Sequence, residues 1–245
     1  NQLNAFLGFG TYDLSSPIGS IVANTWQHVA MVYNDTTLKL YINGSEVASA
    51  AIPGAYALQS STQPYMIGFS GFGGEYFNGS IDEVRIWNIA KTETELNNSK
   101  DCELSGTESG LIAYYQFNEG IDQANNSTVT SLPDVTSNGY NGTLNNFALN
   151  GATSNWLAGS PINTPEVPTV STPVIYTEGE TASSLTATSG GIGLLWYTTS
   201  TGGTGSTTAP TPSTATVGNT SYWVSSTNAN GCESERVEIV VQVNE

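Results

Sequence analysis

The chain has 245 residues, of which 21 are acidic and five are basic, so its formal net charge is -16. A surface of that sign repels nucleic-acid phosphates and anionic lipid headgroups, which argues against both as partners. No apolar run reaches the length that a membrane-spanning helix needs. Aromatic and β-branched residues set among Ser, Thr, Asn and Gly favour an all-β protein with many turns.

Successive strand patterns occupy roughly the first 90 residues. "WQHVAMVYN" is followed by "TLKLYINGSEVASA", in which Asn43-Gly44 predicts a tight hairpin turn. "PYMIGFS" and "GSIDEVRIWN" are further strand patterns. Thr92 and Glu95 then form a capping box, which predicts a short helix from Glu93 to Asn98.

The β pattern resumes in "GLIAYYQFNEG" and, after an Asn/Ser/Asp-rich loop, in "NGTLNNFAL", and Trp156 is expected to close this first domain. A proline-rich stretch predicts an extended linker. Four strand patterns follow it, with Trp196 near their centre, and they predict an immunoglobulin-like sandwich. The expected boundaries are 1–160 for the first domain, 161–168 for the linker and 169–245 for the second domain.

Cys102 and Cys232 are the two cysteines, and neither lies in a C-x-x-C pair, which argues against a zinc or thioredoxin-like site. Because they fall in different predicted domains, a disulfide between them is the less favoured alternative. The chain opens in the strand-like "NAFLGFG" without Met or a signal peptide, and is expected to be an internal piece of a longer precursor.

Four motifs occur in one order: W-x-H-V-A-x-x-Y, L-Y-I-N-G, G-x-I-D-E-V-R-I-W-N and a short helix. Together they resemble the laminin G-like (concanavalin A-like) jelly roll. "GLLWYTTSTGGTGSTTAPTPSTATVGNTSYWVSSTNANGCESERVEIVV" is similar to the Ig-like modules of Bacteroidetes surface proteins. The resemblances imply an all-β chain, a partial laminin G-like jelly-roll sandwich plus a C-terminal Ig-like β-sandwich. The jelly roll is expected to be partial because the family pattern normally starts several strands earlier, which would leave edges unpaired.

The acid pair in "GSIDEVRIWN" is a candidate metal site. Strand alternation would place Asp82 toward the inter-sheet core, or at its rim if the strand bends there, and Glu83 on the side of Arg85, a plausible ion partner. Jelly rolls of the resembled family often bind a structural calcium ion through an Asp in this late strand, which implies Asp82 as a ligand. The alternative is that Asp82 accepts backbone N–H groups at the strand entry.

"LPDVTSNGYNG" is a second candidate for calcium, with Asp134 as its ligand, because carboxylate and amide oxygens crowd one turn. The alternative is that Asp and Asn side chains stabilise the turn through its own backbone. His28 lies mid-strand and is expected to be packed or surface-exposed. Because no G-x-S-x-G, H-E-x-x-H, P-loop or paired-carboxylate motif occurs, the chain is predicted not to be an enzyme.

Aromatic residues in turn-rich stretches are candidates for stacking on sugars. Tyr56 and Tyr65 are among them, and the ligand-binding residues favoured are Phe72, Tyr76 and Tyr140. The alternative is ordinary packing at a domain edge, while Trp196 and Trp223 are expected in the core of the second domain.

These patterns together predict a non-catalytic segment of a secreted or cell-surface multidomain adhesin. The jelly roll would bind a glycan or a surface protein, and the Ig-like unit would be a spacer. One alternative is an accessory binding region of a secreted polysaccharide-degrading enzyme whose catalytic domain lies outside this chain, and another is a stalk without a ligand. The resemblance also implies the type IX secretion machinery as a partner, through a C-terminal sorting domain missing from this sequence.

Overall fold

The computed structural model describes residues 1–7, 12–54, 64–70, 74–162 and 164–245. The chain forms two compact units. The first comprises Asn1–Lys100 and Leu104–Pro161, and the second comprises Asp101–Glu103 and Ile162–Glu245. No helix in the described ranges is long and apolar enough to cross a bilayer.

The first unit is built from short antiparallel strands. In chain order they are β1 (Asn4–Leu7), β2 (Tyr12–Ser15), β3 (Val29–Tyr33), β4 (Thr37–Ile42), β5 (Ser45–Ala51), β6 (Phe69–Ser70), β7 (Glu75–Tyr76), β8 (Val84–Trp87), β9 (Leu111–Tyr115), β10 (Ser131–Leu132) and β11 (Gly142–Thr143). A three-stranded sheet has the order β3-β4-β5, and the remaining strands pair as β1-β2, β6-β7, β8-β9 and β10-β11.

The turn between β4 and β5 has the structure that its sequence predicts. Asn43 and Gly44 have φ angles of 51° and 82°, the left-handed values that a two-residue hairpin of this type requires at both positions. A Cβ atom on Gly44 would lie 2.0 Å from Oδ1 of Asn97, so the close approach of that side chain also needs glycine. Asn97 Nδ2 donates to the Gly44 carbonyl over 3.0 Å, which holds the helix against the hairpin.

One apolar cluster lies between the β1-β2 pair and the β3-β4-β5 sheet, and its buried members include Leu7, Leu38 and Leu40. The cluster continues toward β3, the edge strand of its sheet, because Met31 lies opposite Leu40 in the β3-β4 register. Val29 and Met31 are nevertheless 47% and 54% exposed. This part of the sheet face is therefore open to solvent. In the described residues β3 pairs with β4 alone, so no strand covers its other edge.

A second cluster lies on the β8-β9 pair and contains Ala113, Tyr115 and Leu132. Between β8 and β9 the helix α1 (Glu93–Ser99) forms with the predicted capping box. Glu95 N donates to the Thr92 hydroxyl over 3.2 Å, and Thr92 N donates to the Glu95 carboxylate over 2.7 Å. The bond from the Thr92 backbone is the main reason that the pKa of Glu95 lies at about 2.

The second unit is an Ig-like sandwich of longer strands. They are β12 (Glu166–Val170), β13 (Val174–Thr177), β14 (Ala187–Gly190), β15 (Gly193–Tyr197), β16 (Gly218–Thr227) and β17 (Val237–Asn244). One sheet has the order β13-β17-β16-β15, with β13 parallel to β17, and the other pairs β12 with β14. Because β12 starts at Glu166, residues 166–168 of the predicted linker belong to a strand.

A single cluster forms the core of this unit, with Trp196, Val224, Ile239 and Val241 at its centre. The prediction that Trp196 is a core residue is confirmed, since it is 5% exposed. The same prediction for Trp223 was wrong, because it is half-buried and outside the cluster. Side chains alternate along β16, so the burial of Val224 turns its neighbour to the other face.

Cys102 and Cys232 form a disulfide, against the expectation from the predicted domains. The reason is the path of the chain: after α1 it contributes Asp101–Glu103 to the second unit and then returns to the first. The Thr164 hydroxyl donates to the Glu103 carboxylate and helps to hold this short segment. A contact of this kind, between residues far apart in sequence, has no local signal.

Candidate functional site

The β6-β7 hairpin presents exposed aromatic rings, and we call the residues 64–70 and 74–77 the aromatic hairpin. Phe69 lies opposite Tyr76 in the register, and their ring centroids are 4.7 Å apart with 43° between the planes. Tyr76 is 70% exposed, Phe77 60% and Tyr65 89%. These rings therefore face solvent, where their flat apolar surfaces are available to a ligand.

Local backbone geometry explains the hairpin. Gly68 and Gly74 have φ angles of 78° and 71°, which L-residues with side chains rarely adopt. The Phe77 N–H donates to the Gly68 carbonyl over 2.8 Å and extends the pairing by one bond. Phe72 and Tyr56, which the sequence predicts as candidates for sugar stacking, lie outside the described residues.

The acid pair lies before strand β8 rather than within it. Glu83 has a φ angle of 55°, so the chain turns there and the predicted alternation from Ile81 is interrupted. The expected placement of Asp82 on a strand face with Val84 was therefore wrong. Asp82 Oδ1 accepts the N–H of Glu83 over 3.0 Å, one of the alternatives left open by the sequence.

Glu83 is the residue of the pair that enters a buried network. Its carboxylate accepts bonds from Arg85, as expected, and from the Tyr114 hydroxyl, the latter over 2.7 Å. The side chains of Arg85 and Glu83 are 8% and 9% exposed. Burial raises the pKa of Glu83, more than its bonds to Tyr114 and Arg85 lower it. Arg85 also donates to the Ser99 carbonyl over 2.8 Å, which joins β8 to the end of α1.

A third carboxylate, Glu119, lies in the electrostatic field of Asp82. Burial raises the pKa of Glu119, and the charge of Asp82 raises it further, against the lowering effect of the nearby Trp156 indole. Among the described residues, Glu119 Oε2 and Glu83 Oε1 are buried oxygens without a hydrogen-bond donor. Gly120 permits this arrangement, since a Cβ atom there would lie 2.3 Å from the Trp156 ring.

Asp134 is 8% exposed and organises the loop that follows β10. Oδ1 accepts the N–H groups of Tyr114 and Thr136, each over 3.0 Å, while Oδ2 accepts the Thr136 hydroxyl and the Tyr140 N–H, each over 2.9 Å. Burial would raise the pKa of Asp134, but these donors outweigh it and the pKa is lowered. A carboxylate has about four lone-pair positions, so these four bonds leave little capacity for a cation.

Tyr140 combines a fixed backbone with a free ring. Its N–H donates to Asp134, its carbonyl accepts the Tyr115 hydroxyl over 2.6 Å, and its side chain is 63% exposed. The ring is thus a second exposed aromatic surface in the same unit. His28 is half-buried, and its backbone N–H donates to Asn43 Oδ1 over 3.0 Å, which joins it to the turn between β4 and β5.

The structure does not bring the predicted metal residues into one cluster: across the described ranges, no three His, Cys, Asp or Glu side chains are arranged to hold an ion. Sequence reasoning missed Glu119 and Phe77. The position of Glu119 in "FNEG", four residues after the end of an apolar strand, was the available signal, since a carboxylate near a core strand is costly to bury without a partner.

Comparison with protein families supports both units. Residues 4–97 match the concanavalin A-like lectin/glucanases superfamily, and residues 165–244 match the Ig-like domain described as CHU_C associated. The matches confirm the two resemblances and the predicted order of a jelly-roll-like domain followed by an Ig-like domain.

Similarity to individual proteins covers smaller parts. Pappalysin-1 of Mus musculus is 31% identical over 80 residues, which are 31% of this chain and 5% of that protein. Pappalysin-1 of Homo sapiens is 28% identical over 95 residues, 38% of this chain and 6% of that protein. The chain thus spans about a twentieth of the curated relatives that it matches. A solved structure, described as a candidate carbohydrate binding protein from Bacteroides ovatus, has 26% identity and a TM-score of 0.45, and the match covers 55% of this chain and 38% of that one.

Proposed function

We propose that this chain is a non-catalytic glycan-binding segment of a secreted or cell-surface multidomain adhesin. The jelly-roll unit contacts the ligand, and the Ig-like unit is a spacer. The observation that carries the proposal is the aromatic hairpin, which displays exposed rings on a unit that matches a lectin/glucanase superfamily.

Exposure of these rings has a physical cost that a ligand would offset. Tyr65, Tyr76 and Phe77 belong to one short hairpin and keep most of their surface in water. Tyr76 and Phe77 are consecutive in the paired segment, so each presents its ring on a different face of the hairpin. Several exposed rings on one short segment mark a contact site more often than single scattered residues do. Sugars carry flat C–H faces that stack on aromatic rings, and the exposed carboxylate of Glu75, next to Tyr76, can accept bonds from sugar hydroxyl groups.

Calcium is a further part of the proposal, held by Asp82 as the family resemblance implies. The charge of Asp82 acts on the two buried carboxylates of Glu83 and Glu119. Because no three acidic side chains in the described ranges are arranged to hold an ion, the other ligands would be backbone carbonyl oxygens and water. Its role would be structural, because it would neutralise the charge of Asp82, which disfavours the ionised forms of Glu83 and Glu119. Asp134, whose four bonds come from the chain itself, is better explained as a loop organiser.

The calcium proposal has its own test. An ion that binds only the folded state raises the melting temperature by mass action. The first unit should therefore melt at a lower temperature in excess chelator and recover on addition of calcium, while the second unit stays unchanged. Asp82→Asn should abolish the response and Asp134→Asn should preserve it. If the melting temperature of the first unit were the same with and without chelator, the proposal would be contradicted.

An extracellular location is part of the same proposal. The disulfide between Cys102 and Cys232 supports it, because such bonds form and persist in oxidising compartments. The CHU_C-associated match of the Ig-like unit is consistent with the proposed export by the type IX machinery, through a sorting domain outside this sequence. The alternative, an accessory region of a polysaccharide-degrading enzyme, has in its favour that the matched superfamily includes glucanases. The two differ in whether a catalytic domain accompanies this segment in the complete gene.

The experiment is affinity electrophoresis of the full chain in gels that contain a panel of soluble plant and microbial polysaccharides. We expect retardation by at least one of them and about tenfold weaker binding by Tyr76→Ala, because one stacked ring is lost. Ile175→Ala, at a residue 59% exposed in the second unit, is the matched control and should bind normally. Tyr140→Ala tests whether the polysaccharide contacts the Tyr140 ring instead of the aromatic hairpin. Loss in Tyr140→Ala but not in Tyr76→Ala, or no retardation by any polysaccharide, would overturn the hairpin as the binding surface.

A further inference from the structure

The disulfide changes the covalent path through the chain. Cys102 and Cys232 are separated by 130 positions in sequence. Cys102 comes three residues after the end of α1, and Cys232 comes shortly before β17, the last strand. Residues 103–231, which contain β9 to β16, therefore form a covalently closed loop.

We infer that this disulfide is a mechanical bypass. Tension that enters the chain before Cys102 and leaves it after Cys232 passes through the sulfur-sulfur bond, and residues 103–231 carry none of it. A covalent bond withstands forces that separate hydrogen-bonded strands. The closed loop therefore cannot lengthen, even where its strands are weakly held. This property goes beyond the proposed glycan binding and does not depend on the identity of a ligand.

The last strand is suited to transmit such tension. After Cys232 the path runs along β17, whose residues are already extended at about 3.3 Å each, close to the limit of about 3.3–3.6 Å for a polypeptide. Pulling along β17 therefore lengthens it little. The strand lies between β13 and β16, and Ile239 and Val241 are 0% and 1% exposed in the core. The spacer unit can thus transmit tension without unfolding.

On the other side of the bond, cross-links secure the path between the aromatic hairpin and Cys102. Tension from a ligand bound at the hairpin would reach the cysteine through β8 and α1. Arg85 in β8 donates to the Ser99 carbonyl at the end of α1, and Asn97 ties the same helix to the turn at Gly44. These bonds connect the segment to the body of the first unit at several points.

The bond is also protected in the folded protein. Cys102 and Cys232 are 7% and 2% exposed. The backbone N–H of Cys232 donates to Asn228 Oδ1 over 3.0 Å and fixes the turn that carries the sulfur. A reductant in solution therefore reaches the disulfide only after the surrounding chain has opened.

The test is single-molecule force spectroscopy on the full chain, held by handles at Asn1 and Glu245. In buffer without reductant, the unfolded chain should be shorter than its full contour by about 450 Å, since 130 residues at about 3.5 Å each stay closed. At constant force, addition of a phosphine reductant should then release one further extension of about that length. Full extension without reductant, or no further step with it, would overturn the inference.

The double substitution Cys102→Ser and Cys232→Ser is the matched control, which should reach full length in both buffers. If this variant does not fold, the constant-force experiment on the natural chain still decides the question, because the bond is cut after folding. The measurement contains no polysaccharide, so its failure would leave the glycan proposal standing. A negative binding result would equally leave the mechanical inference in place.

Discussion

The two units of the chain differ in where they keep their aromatic side chains. In the second unit Trp196 and Tyr197 are buried, and the large exposed apolar residues that the structure describes there are aliphatic. In the first unit, rings such as Tyr65, Tyr76 and Tyr140 are exposed. The same division is seen in the sheets, since the second unit has a four-stranded sheet with one core, and the first has smaller sheets with separate clusters.

This difference indicates a division of labour. A unit with one core and long paired strands keeps its shape and suits a spacer. A unit that leaves rings on its surface gives up part of the hydrophobic contribution to its stability and retains surface for contact. Both cysteines of the disulfide belong to the second unit, the proposed spacer, and not to the unit that we propose binds the ligand.

The largest effect is expected on the spacer side of the comparison. Cys102→Ser with Cys232→Ser should lower the free energy of unfolding of the second unit by about 4 kcal/mol, because a closed loop of this length restricts the unfolded chain. Denaturant titration followed by tryptophan fluorescence measures the change. If the unfolding midpoint of the second unit did not move, the disulfide would not stabilise it.

A core truncation in the first unit tests whether its clusters are separate. Leu40→Ala should cost about 3 kcal/mol, the usual range for a buried leucine in a well-packed site. Hydrogen exchange should show lost protection in β3–β5 and retained protection in β8 and β9, whose cluster does not contain Leu40. The control is Ile239→Ala, which should reduce protection throughout the single core of the second unit. Uniform loss in the first unit would show that its two clusters unfold together.

Substitution of Asp134 tests the loop that carries Tyr140. Asp134→Ala should lower the free energy of unfolding by about 2 kcal/mol, because it leaves buried N–H groups without an acceptor. Asp13→Ala, at an exposed carboxylate, should change stability by less than about 0.5 kcal/mol. Thermal melting of the two variants at neutral pH makes the comparison, and equal losses would argue against a special role for Asp134.

The same residue gives a prediction with a defined sign in pH. The folded state lowers the pKa of Asp134, so its contribution to stability is complete above the ordinary value of about 3.9 and is lost as the pH falls through the folded pKa. The difference in melting temperature between the natural chain and Asp134→Asn should therefore shrink below about pH 4. A difference that grew in acid would mean that the pKa is raised instead.

The smallest expected effect is on the stability of the proposed binding surface. Tyr76→Ala should change the free energy of unfolding by no more than about 0.5 kcal/mol, because the ring is 70% exposed. A loss of 2 kcal/mol or more in a melting experiment would show that the ring is a packing residue, and would weaken the comparison between the two units.

The sequence by itself determined the features whose causes are local. Asn43-Gly44 specified its turn because both positions tolerate left-handed φ, and Thr92 with Glu95 specified the start of α1 because the two residues satisfy each other's N–H groups. The order of the two families followed from contiguous motifs in the same way. Asp134 could be found as a residue of interest, although its role depended on which donors the fold placed around it.

Only the tertiary structure decided the features that depend on residues far apart in the chain. The disulfide formed because three residues after α1 belong to the second unit, which no spacing between cysteines reveals. Glu83 rather than Asp82 entered the buried network because the chain turns at Glu83, and Tyr114, 31 residues later, supplied the donor. Glu119 likewise lies where the charge of Asp82 raises its pKa only because the fold brings these two distant positions near each other. Such contacts are set by how strands pair and pack, and strand pairing joins residues that are distant in the sequence.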